Sequence, residues 1–238
     1  MRKVGFSTGA LTRGDFRRAL QMLHATRADA IELSALRQNE LAPLMQQLDD
    51  LELNQFAYIS VHAPSSLEPG FEPTAIKLLD QVFQRGWPIV VHPDAMHNIE
   101  EWARFGDLLY IENMDKRKAI GQTAADLASI FARLGEACLC FDVGHARQVD
   151  PTMSEAAAIL IQCKAKLRQI HISEVNAQSK HDALTLEAMM AFRRVAALIS
   201  PEIPVILESR VEEPQIEAEI RNALLALDAR NALALAGD

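Results

Sequence analysis

Short apolar segments that end in potential metal ligands recur at regular intervals along this chain. The clearest segment, residues 137–141, leads directly into Asp142, a short turn and His145. Apolar runs bounded by turn residues are typical of buried strands. Because an unpartnered buried charge is costly, a buried strand that ends in a carboxylate and an imidazole indicates a binding site. Similar segments follow one another roughly every 30 residues, which is the size of one strand–helix unit.

Eight such segments are predicted to form strands. They lie at residues 3–7, 30–33, 56–61, 88–91, 108–111, 137–141, 169–172 and 205–207. Between the strands, apolar residues recur with the spacing of an amphipathic helix. The predicted helices lie at residues 15–25, 41–51, 75–83, 99–105, 124–134, 154–167, 185–199 and 214–227.

The alternation of strands and helices predicts an α/β fold, a single (β/α)8 TIM barrel covering residues 1–238. Eight strand–helix pairs in 238 residues match the size of such a barrel. The strands are continuous Val, Ile and Leu runs, as expected for a parallel sheet covered on both faces. A doubly wound sheet is disfavoured because its glycine-rich first turn is missing at residues 7–10. We expect the last helix to end or fray in the alanine-rich segment after Leu227.

The composition narrows the class of partner. A net charge of −8 disfavours a general nucleic-acid-binding protein, since such binding depends largely on Lys and Arg contacts with phosphates. Cys138, Cys140 and Cys163 lack zinc-finger spacing, and we interpret the first two as core residues on one face of a strand. Without a cysteine framework or a signal-peptide pattern, a cytoplasmic protein is expected. No apolar run approaches the roughly 18 residues that a membrane span needs.

The carboxyl ends of the strands of such a barrel meet at one mouth, where active sites lie. The polar residues at the predicted strand ends are Glu32, His62, His92, Glu112, Asp142 with His145, His171 and Glu208. Four of them, Glu112, Asp142, His171 and Glu208, come from consecutive strands. Three carboxylates and one imidazole favour a divalent cation such as Mn²⁺, Mg²⁺, Fe²⁺ or Zn²⁺. Packed like charges also need a cation in order to coexist.

The other ligand-type residues allow two interpretations. The imidazoles of His62, His92, His145 and His181 either complete further metal positions or hydrogen-bond substrate hydroxyls. Glu32 comes early in the barrel. We expect it to bind substrate or to hold His62 in place through a hydrogen bond.

Basic residues also lie near the predicted mouth. Arg147 and Arg210 closely follow the predicted metal-binding segments, so we expect them to bind an anionic group of the substrate. The basic run at residues 116–118 is interpreted as a solvated helix start, with anion binding as the alternative.

The ordered strand ends resemble those of the xylose isomerase-like superfamily, which includes AP endonuclease family 2 and sugar phosphate isomerase/epimerase-like proteins. The segments that carry the resemblance are Ile31-Glu32-Leu33, His62-Ala63-Pro64, Val91-His92-Pro93, Ile111-Glu112-Asn113-Met114, Asp142-Val143-Gly144-His145, Ile170-His171-Ile172 and Leu207-Glu208. They extend over nearly the whole chain. The resemblance implies the barrel fold and bound divalent metal, and barrels of this superfamily often pair as homodimers.

In the isomerase and epimerase branch, the residues that match Glu112, Asp142, His171 and Glu208 hold one divalent metal. This branch implies an enzyme that acts on a small sugar, keto acid or hydroxy acid by proton transfer through an enediolate. Glu112 and Glu208 would then serve as catalytic bases as well as ligands. The residue that matches His145 would contact substrate.

The endonuclease IV-like branch holds three zinc ions and hydrolyses phosphodiesters. Its first site matches His62, His92 and Glu112, its second matches Glu112, Asp142, His171 and Glu208, and its third matches His145 and His181. This chain departs from the pattern at Ser179, where the branch has an aspartate two residues before the histidine. Asp182 is a candidate replacement.

On sequence we rank the isomerase or epimerase first and the endonuclease-like hydrolase second. The chain is acidic, only 5% of its residues are aromatic, and it lacks the basic loops that would bind a bent duplex. Residues 176–182 also depart from the arginine-containing loop of hydroxypyruvate isomerase-like enzymes, which leaves the substrate open. A third alternative is a barrel that binds a metal or sugar without turnover, because fold alone does not determine function.

Overall fold

Parallel strands close into a barrel in the computed structural model, which describes residues 2–228. The strands of this part of the chain are β1 (Val4–Ser7), β2 (Ala30–Ser34), β3 (Tyr58–His62), β4 (Ile89–Val91), β5 (Leu109–Glu112), β6 (Cys138–Asp142), β7 (Leu167–Ile172), β8 (Glu174–Val175), β9 (His181–Asp182) and β10 (Val205–Leu207). Eight of them form the barrel in the order β1-β2-β3-β4-β5-β6-β7-β10, and β10 pairs with β1. The predicted α/β class and TIM barrel are confirmed. Except for Asp228, the alanine-rich segment after Leu227 lies outside the described residues.

Helices connect the strands. Those of the described residues are α1 (Thr8–Thr12), α2 (Phe16–Leu23), α3 (Gln38–Gln47), α4 (Glu72–Gln84), α5 (Ile99–Trp102), α6 (Ala124–Arg133), α7 (Val143–Val149), α8 (Ser154–Gln162), α9 (Leu186–Ala196) and α10 (Ile216–Ala226). None of the helices between residues 2 and 228 has the length and apolar character that crossing a membrane requires.

Apolar side chains form two separate clusters. The larger one includes the fully buried Ile31, Leu139 and Phe192 and joins strands to helices. The smaller one consists of Val90, Tyr110, Cys138 and Cys140. Because side chains alternate along a strand, Tyr110 and Cys140 point to the same side of the sheet as Glu112 and Asp142, into the barrel. Both predicted core cysteines of β6 are buried.

The register of the sheet sets neighbouring strand ends side by side. Asp142 of β6 pairs directly with His171 of β7, and Glu112 of β5 pairs with Cys140 of β6. His171 also pairs with Ile206, two residues before Glu208. Four predicted ligands therefore lie on adjacent strands at one end of the barrel, as the ordered strand ends implied.

The segment after β6 differs from its prediction, since helix α7 replaces the expected short turn. Asp142 caps this helix, because its Oδ1 accepts a hydrogen bond from the backbone N–H of His145 at 2.6 Å. Gly144 is required by packing: a Cβ atom there would lie 2.6 Å from the carbonyl oxygen of Ser173. A glycine that reads locally as a turn residue is therefore a contact point between α7 and the segment after β7.

The connection after β7 contains a small hairpin that the sequence did not predict. Strands β8 and β9 pair antiparallel, with Val175 opposite His181. The basic run at residues 116–118, interpreted as a helix start, lies instead in a turn after β5. Residues of both segments line the cavity at the mouth of the barrel.

Candidate metal centre

The carboxylate of Glu112 lies at the centre of the predicted ligands. Its Oε2 is 3.0 Å from Nε2 of His62 and 3.3 Å from Nε2 of His92. Its Oε1 is 3.2 Å from Nδ1 of His145 and 3.5 Å from Nδ1 of His171. Each oxygen thus faces its own pair of imidazoles, and the side chain is only 1% exposed. This is an arrangement in which one carboxylate can bridge two cations.

Hydrogen bonding determines which nitrogen of His62 faces that carboxylate. Nδ1 lies 2.6 Å from the carbonyl oxygen of Ala63. A carbonyl only accepts, so Nδ1 donates and Nε2 keeps a lone pair directed at Glu112. Burial opposes the charged form of His62, but the hydrogen bond to Glu112 and the charge of Glu32 raise its pKa to about 9. Two facing acceptor atoms need a shared cation, which is either a proton or a metal ion.

A buried carboxylate orients His171. Its Nε2 is 3.0 Å from Oε2 of Glu32, which also accepts hydrogen bonds from Ser60 and Gln169. Nε2 of Gln169 also lies 2.8 Å from this ring nitrogen, but its amide N–H already donates to Oε2 of Glu32. An ionised carboxylate only accepts, so we assign the ring proton to Nε2. The lone pair of Nδ1 is then buried without a hydrogen-bond partner among the described residues. Glu32 therefore forms its hydrogen bond with His171, whereas we expected it to hold His62. The side chain of Glu32 is completely buried, so it has no surface with which to contact substrate.

Asn113 ties the ends of β5 and β6 together. Its Nδ2 donates to the carbonyl oxygen of Asp142 at 2.8 Å, and its Oδ1 accepts from the backbone N–H of Asp142 at 2.8 Å. Its own carbonyl oxygen accepts from Nδ1 of His145 at 3.0 Å, which leaves Nε2 of His145 free to bind a cation. One side chain therefore sets the positions of two predicted ligands.

Asp142 and His171 supply the clearest indication that this cluster can bind a cation. Oδ2 of Asp142, like Nδ1 of His171, is buried without a hydrogen-bond partner within residues 2–228. Ligand atoms of Glu112, Asp142, His171 and Glu208 all lie within 4.8 Å of one another. Orphaned buried acceptors at this spacing fit a divalent cation, because such groups are otherwise hydrogen-bonded.

The hairpin brings His181 to the same centre. Its Nδ1 is 2.8 Å from Oγ of Ser173 and 3.3 Å from Oε2 of Glu208. The rings of His181 and His145 are 5.2 Å apart between centroids. Burial, aided by the charge of His145, lowers the pKa of His181 to about 4, which favours the neutral imidazole that binds metals.

Asp142, and not Asp182, lies beside His145 and His181. Ligand atoms of Asp142, His145 and His181 lie within 4.8 Å of one another. The suggested replacement, Asp182, is exposed and accepts a hydrogen bond from Nδ2 of Asn176 at 2.7 Å. His62, His92 and Glu112 form a further group with the same spacing, and Glu32, His62 and Glu208 form a fourth. Because Glu32 of the fourth group bonds His171, we call the other three, which are joined through Glu112 and Asp142, the ligand groups.

The closely packed carboxylates and imidazoles shift the pKa values of Glu208 and His145. Burial raises the pKa of Glu208 to about 8, and the nearby carboxylates of Glu112 and Asp142 add to the rise against the attraction of His171. Burial opposes a charged His145, but Asp142 and Glu112 raise the pKa of this imidazole to about 10. The cluster therefore stabilises positive charge strongly, whether protons or metal ions supply it.

A cavity of about 560 Å³ opens onto the centre. The predicted residues that line it are His62, His92, Glu112, His145, His181, Glu208 and Arg210. Asp142 and His171 lie beneath them, with no solvent exposure. Arg147 is not brought to the cavity: it forms ion pairs with Glu174 and Glu187. Its guanidinium is therefore already neutralised, unlike that of a free anion-binding residue.

Sequence reasoning missed several residues that position the site. Gln169 could have been found, since it lies two residues before His171 and hence on the same face of β7. Asn113 gave no periodic signal, because it lies beyond the end of β5. Of the cavity-lining cations, Arg117 and Lys118 lie in the basic run for which anion binding was the alternative interpretation, whereas Lys180 gave no signal that distinguishes it from a solvated surface residue. The structure brings the predicted ligands together, while their metal-binding roles stay a prediction.

Comparison with known proteins shows the fold. No protein-family model matches the chain, and no curated protein matches it. Endonuclease IV from Thermus thermophilus is similar in structure, with a TM-score of 0.60 and 15% identity over 98% of this chain and 99% of that one. A xylose isomerase domain protein from Alicyclobacillus acidocaldarius subsp. acidocaldarius has a TM-score of 0.62 and 14% identity over 100% of both chains.

A third similar structure is a xylose isomerase-like TIM barrel protein from Mycobacterium smegmatis in complex with magnesium. Its TM-score is 0.54, with 13% identity over 90% of this chain and 89% of that one. These identities are too low to transfer an activity, because one barrel fold supports many reactions. The chain has the barrel fold of endonuclease IV and of the xylose isomerase-like superfamily, which its strand-end motifs resemble.

Proposed function

We propose that this chain is a metal-dependent hydrolase that cleaves a phosphoester of a small molecule at a multinuclear divalent-metal centre. The observation that carries the proposal is the position of Glu112. Nε2 of His62 and Nε2 of His92 face one of its carboxylate oxygens, and Nδ1 of His171 faces the other. A one-metal isomerase would use a free oxygen of this glutamate for proton transfer. Imidazoles face both oxygens here.

The chemistry of the three ligand groups supports more than one bound ion. The groups around His92 and His181 are rich in imidazole, which suits Zn²⁺ or Fe²⁺ better than Mg²⁺. The group around His171 has three carboxylates and also suits Mn²⁺ or Mg²⁺. When bound, divalent cations would act as Lewis acids on phosphoryl oxygens and activate water for attack.

The residues of the chain have separate tasks in this proposal. Glu112 and Asp142 hold the groups together as shared ligands, and both are almost fully buried. The side chain of Glu208 is 15% exposed and lines the cavity, so its carboxylate can accept or return a proton at the substrate. Glu208 thus keeps the catalytic role that the sequence predicted, while Glu112 acts chiefly as a ligand.

The shape of the site supports a small substrate. A cavity of about 560 Å³ falls within the usual range for small-molecule sites. The net charge of −8 also disfavours a duplex nucleic acid as the substrate. A phosphorylated metabolite therefore fits better than DNA.

One observation favours an isomerase or epimerase as the second candidate. Nδ1 of His171 lies 3.5 Å from Glu112 and 3.6 Å from Glu208, so two cavity-lining carboxylates flank one possible metal position. Such a pair could hold a cation and also move a proton between two carbons of a hydroxy-carbonyl compound. Under this alternative, Glu112 keeps its predicted role as a base.

Elemental analysis of protein purified without added metal distinguishes these functions. Two or three ions per chain, one for each ligand group, are expected for the hydrolase, and one ion is expected for the isomerase. Protein that contains no metal and binds none on titration would contradict both.

Activity assays provide the second test. The metal-loaded protein should release p-nitrophenol from p-nitrophenyl phosphate or bis(p-nitrophenyl) phosphate, and Glu208→Gln should abolish this release. The matched control is Glu202→Gln, since Glu202 is exposed and outside the cavity. Incorporation of solvent deuterium into ketoses without phosphate-ester cleavage would favour the isomerase. Cleavage of abasic-site DNA would instead extend the hydrolase to nucleic acid.

A further inference from the structure

Positive charge is concentrated at the mouth of the cavity, although the chain as a whole is acidic. Arg117, Lys118, Lys180 and Arg210 all line the cavity, while the net charge of the chain is −8. Apart from the predicted metal ligands, Asp115 is the one acidic residue of the described chain in this lining. The outer part of the cavity therefore carries an excess of cations.

Two of these cations are neutralised by carboxylates. Arg117 pairs with Asp115 at 2.9 Å, and Lys118 pairs with Asp94 at 2.6 Å. The side chains of Lys180 and Arg210 form no hydrogen bond or ion pair within residues 2–228 and are exposed. Two cations without partners at one cavity make it favourable for an anion to bind there.

Both free cations lie beside segments that deliver predicted metal ligands. Lys180 directly precedes His181 in the hairpin, and Arg210 follows Glu208 by two residues. The hairpin is held in place, because the backbone N–H of Asn176 donates to the carbonyl oxygen of Lys180 at 3.0 Å. A group bound by these two side chains would therefore lie in the same cavity as the metal centre, next to it.

Hydroxyl groups complete the lining of this region. Ser65 and Ser66, in the segment after β3, line the same cavity, and their hydroxyls make no hydrogen bond with other described residues. Together with the lysine ammonium and the arginine guanidinium, they offer donors to an oxyanion. Arginine is well suited to this task because its planar fork binds two oxygens of a carboxylate or phosphate at once.

We propose that Lys180 and Arg210 bind a terminal oxyanion of the substrate, a phosphate or carboxylate, while the reacting group of the same molecule lies at the ligand cluster. This inference rests on the proposed use of the cavity as the active site. It narrows the substrate to a small molecule that carries an anionic end besides its reacting group. It also replaces Arg147, which Glu174 and Glu187 already neutralise, with Lys180 as the second anion-binding residue.

Calorimetric titration of zinc-loaded protein tests the proposal with three probes: inorganic phosphate, 2-phosphoglycolate and succinate. The two-ended anion 2-phosphoglycolate should bind at least about tenfold more tightly than phosphate, as expected for one added charged hydrogen-bonded contact. Succinate, with two carboxylates, shows which terminal group the site prefers. Equal affinity for 2-phosphoglycolate and phosphate would overturn the proposal.

Variants that remove one positive charge test which residues bind 2-phosphoglycolate. Arg210→Gln and Lys180→Gln should each weaken the binding of 2-phosphoglycolate by about tenfold. Arg210→Lys, which keeps the charge but not the planar fork, should lose less affinity than Arg210→Gln. The matched controls are Lys77→Gln on α4 and Arg221→Gln on α10, which remove the same charge from exposed positions outside the cavity. Unchanged binding in both site variants, or an equal loss in the controls, would overturn the assignment.

The same titrations separate this proposal from the proposed function. Metal content is measured for every variant, and it should equal that of the wild type. The titration is then repeated after chelator treatment. Binding of 2-phosphoglycolate that still depends on Lys180 and Arg210 would support the anion site even if the chain proves to hold no metal. If binding of 2-phosphoglycolate depends on neither residue, both in the zinc-loaded and in the chelator-treated protein, the anion site is overturned. That result would not bear on the proposed metal centre.

Discussion

Glu32 and His171 meet inside the barrel, where Nε2 of His171 donates a hydrogen bond to Oε2 of Glu32 at 3.0 Å and neither side chain is exposed. The burial of Glu32 opposes its ionisation, but the charge and hydrogen bond of His171 hold its pKa below the ordinary value. The ionised carboxylate keeps the ring proton on Nε2 and leaves Nδ1 directed at Glu112 and Glu208. Glu32, which does not line the cavity, thus sets the tautomer of His171, a predicted metal ligand.

Glu32→Gln should weaken metal binding by about 10–100-fold, which is typical when a partner of a ligating histidine is removed. A neutral amide can donate as well as accept, so it no longer keeps the proton on Nε2. Competition titration with a chromogenic chelator measures the change. Glu202→Gln, at an exposed position, is the control, and an unchanged affinity for Glu32→Gln would contradict the proposed tautomer.

Removal of metal should destabilise the fold, because the carboxylates of Glu112, Asp142 and Glu208 then face one another without a divalent cation. Ligand present at 100 times its Kd stabilises by about 2.7 kcal/mol. For a chain of this size, that corresponds to a rise in Tm of about 5–10 °C. Differential scanning calorimetry with and without chelator measures the shift. A Tm that is independent of metal would argue against occupied sites.

His92→Ala should remove one bound ion and leave the others, since His92 belongs to only one of the three ligand groups. Glu112→Gln should remove more than one ion, because Glu112 belongs to two groups. Elemental analysis of the two variants compares the losses directly. Equal losses would contradict the bridging role of Glu112. His97→Ala is the control, because His97 hydrogen-bonds the carbonyl of Leu67 away from these groups.

Asn113→Ala should lower the free energy of unfolding by about 2–6 kcal/mol. The substitution leaves both the N–H and the carbonyl of Asp142 without their buried partners, and each unsatisfied group costs about 1–3 kcal/mol. Urea unfolding followed by circular dichroism measures the change. Asn54→Ala, at an exposed position, should alter stability by less than about 0.5 kcal/mol. A comparable loss in both variants would mean that the Asn113 bridge contributes nothing specific.

Gly144→Ala should destabilise the protein by about 1–3 kcal/mol, as overpacking generally does. The added Cβ would lie 2.6 Å from the carbonyl oxygen of Ser173 and 2.7 Å from Cγ2 of Val175. Gly70→Ala is the matched control, because no atom lies within 4 Å of its added Cβ. Thermal unfolding compares the two variants. Since Val175 pairs with His181, the first variant should also lose metal from the group that contains His181, and retention of all metal would contradict this coupling.

Strand positions could be predicted because a buried parallel strand is a local apolar run. Strand β10 spans the predicted residues, Val205–Leu207, and β2 extends only one residue further than predicted. Boundaries were less certain where a helix meets a strand. Helix α8 ends at Gln162, short of its predicted end, because β7 begins at Leu167. Here pairing with neighbouring strands overrides helical spacing.

Helix α7 shows why some local structure could not be predicted. The tetrapeptide Asp142-Val143-Gly144-His145 has the composition of a turn. It forms a helix because Asp142 caps it and because Gly144 packs against the segment that contains Ser173. That second contact joins residues far apart in sequence, so no local pattern contains it.

The order and spacing of the strand ends were enough to predict which residues meet, because a barrel of parallel strands brings every strand end to one mouth. Which atoms contact one another could be read only from the closed barrel. Both oxygens of Glu112 face imidazoles, Glu32 bonds His171, and Arg147 is neutralised by ion pairs. Each of these contacts depends on the direction of a side chain and on competing partners from distant strands or loops. Strand order and spacing constrain backbone positions, whereas hydrogen bonds select among side-chain directions only after the barrel has closed.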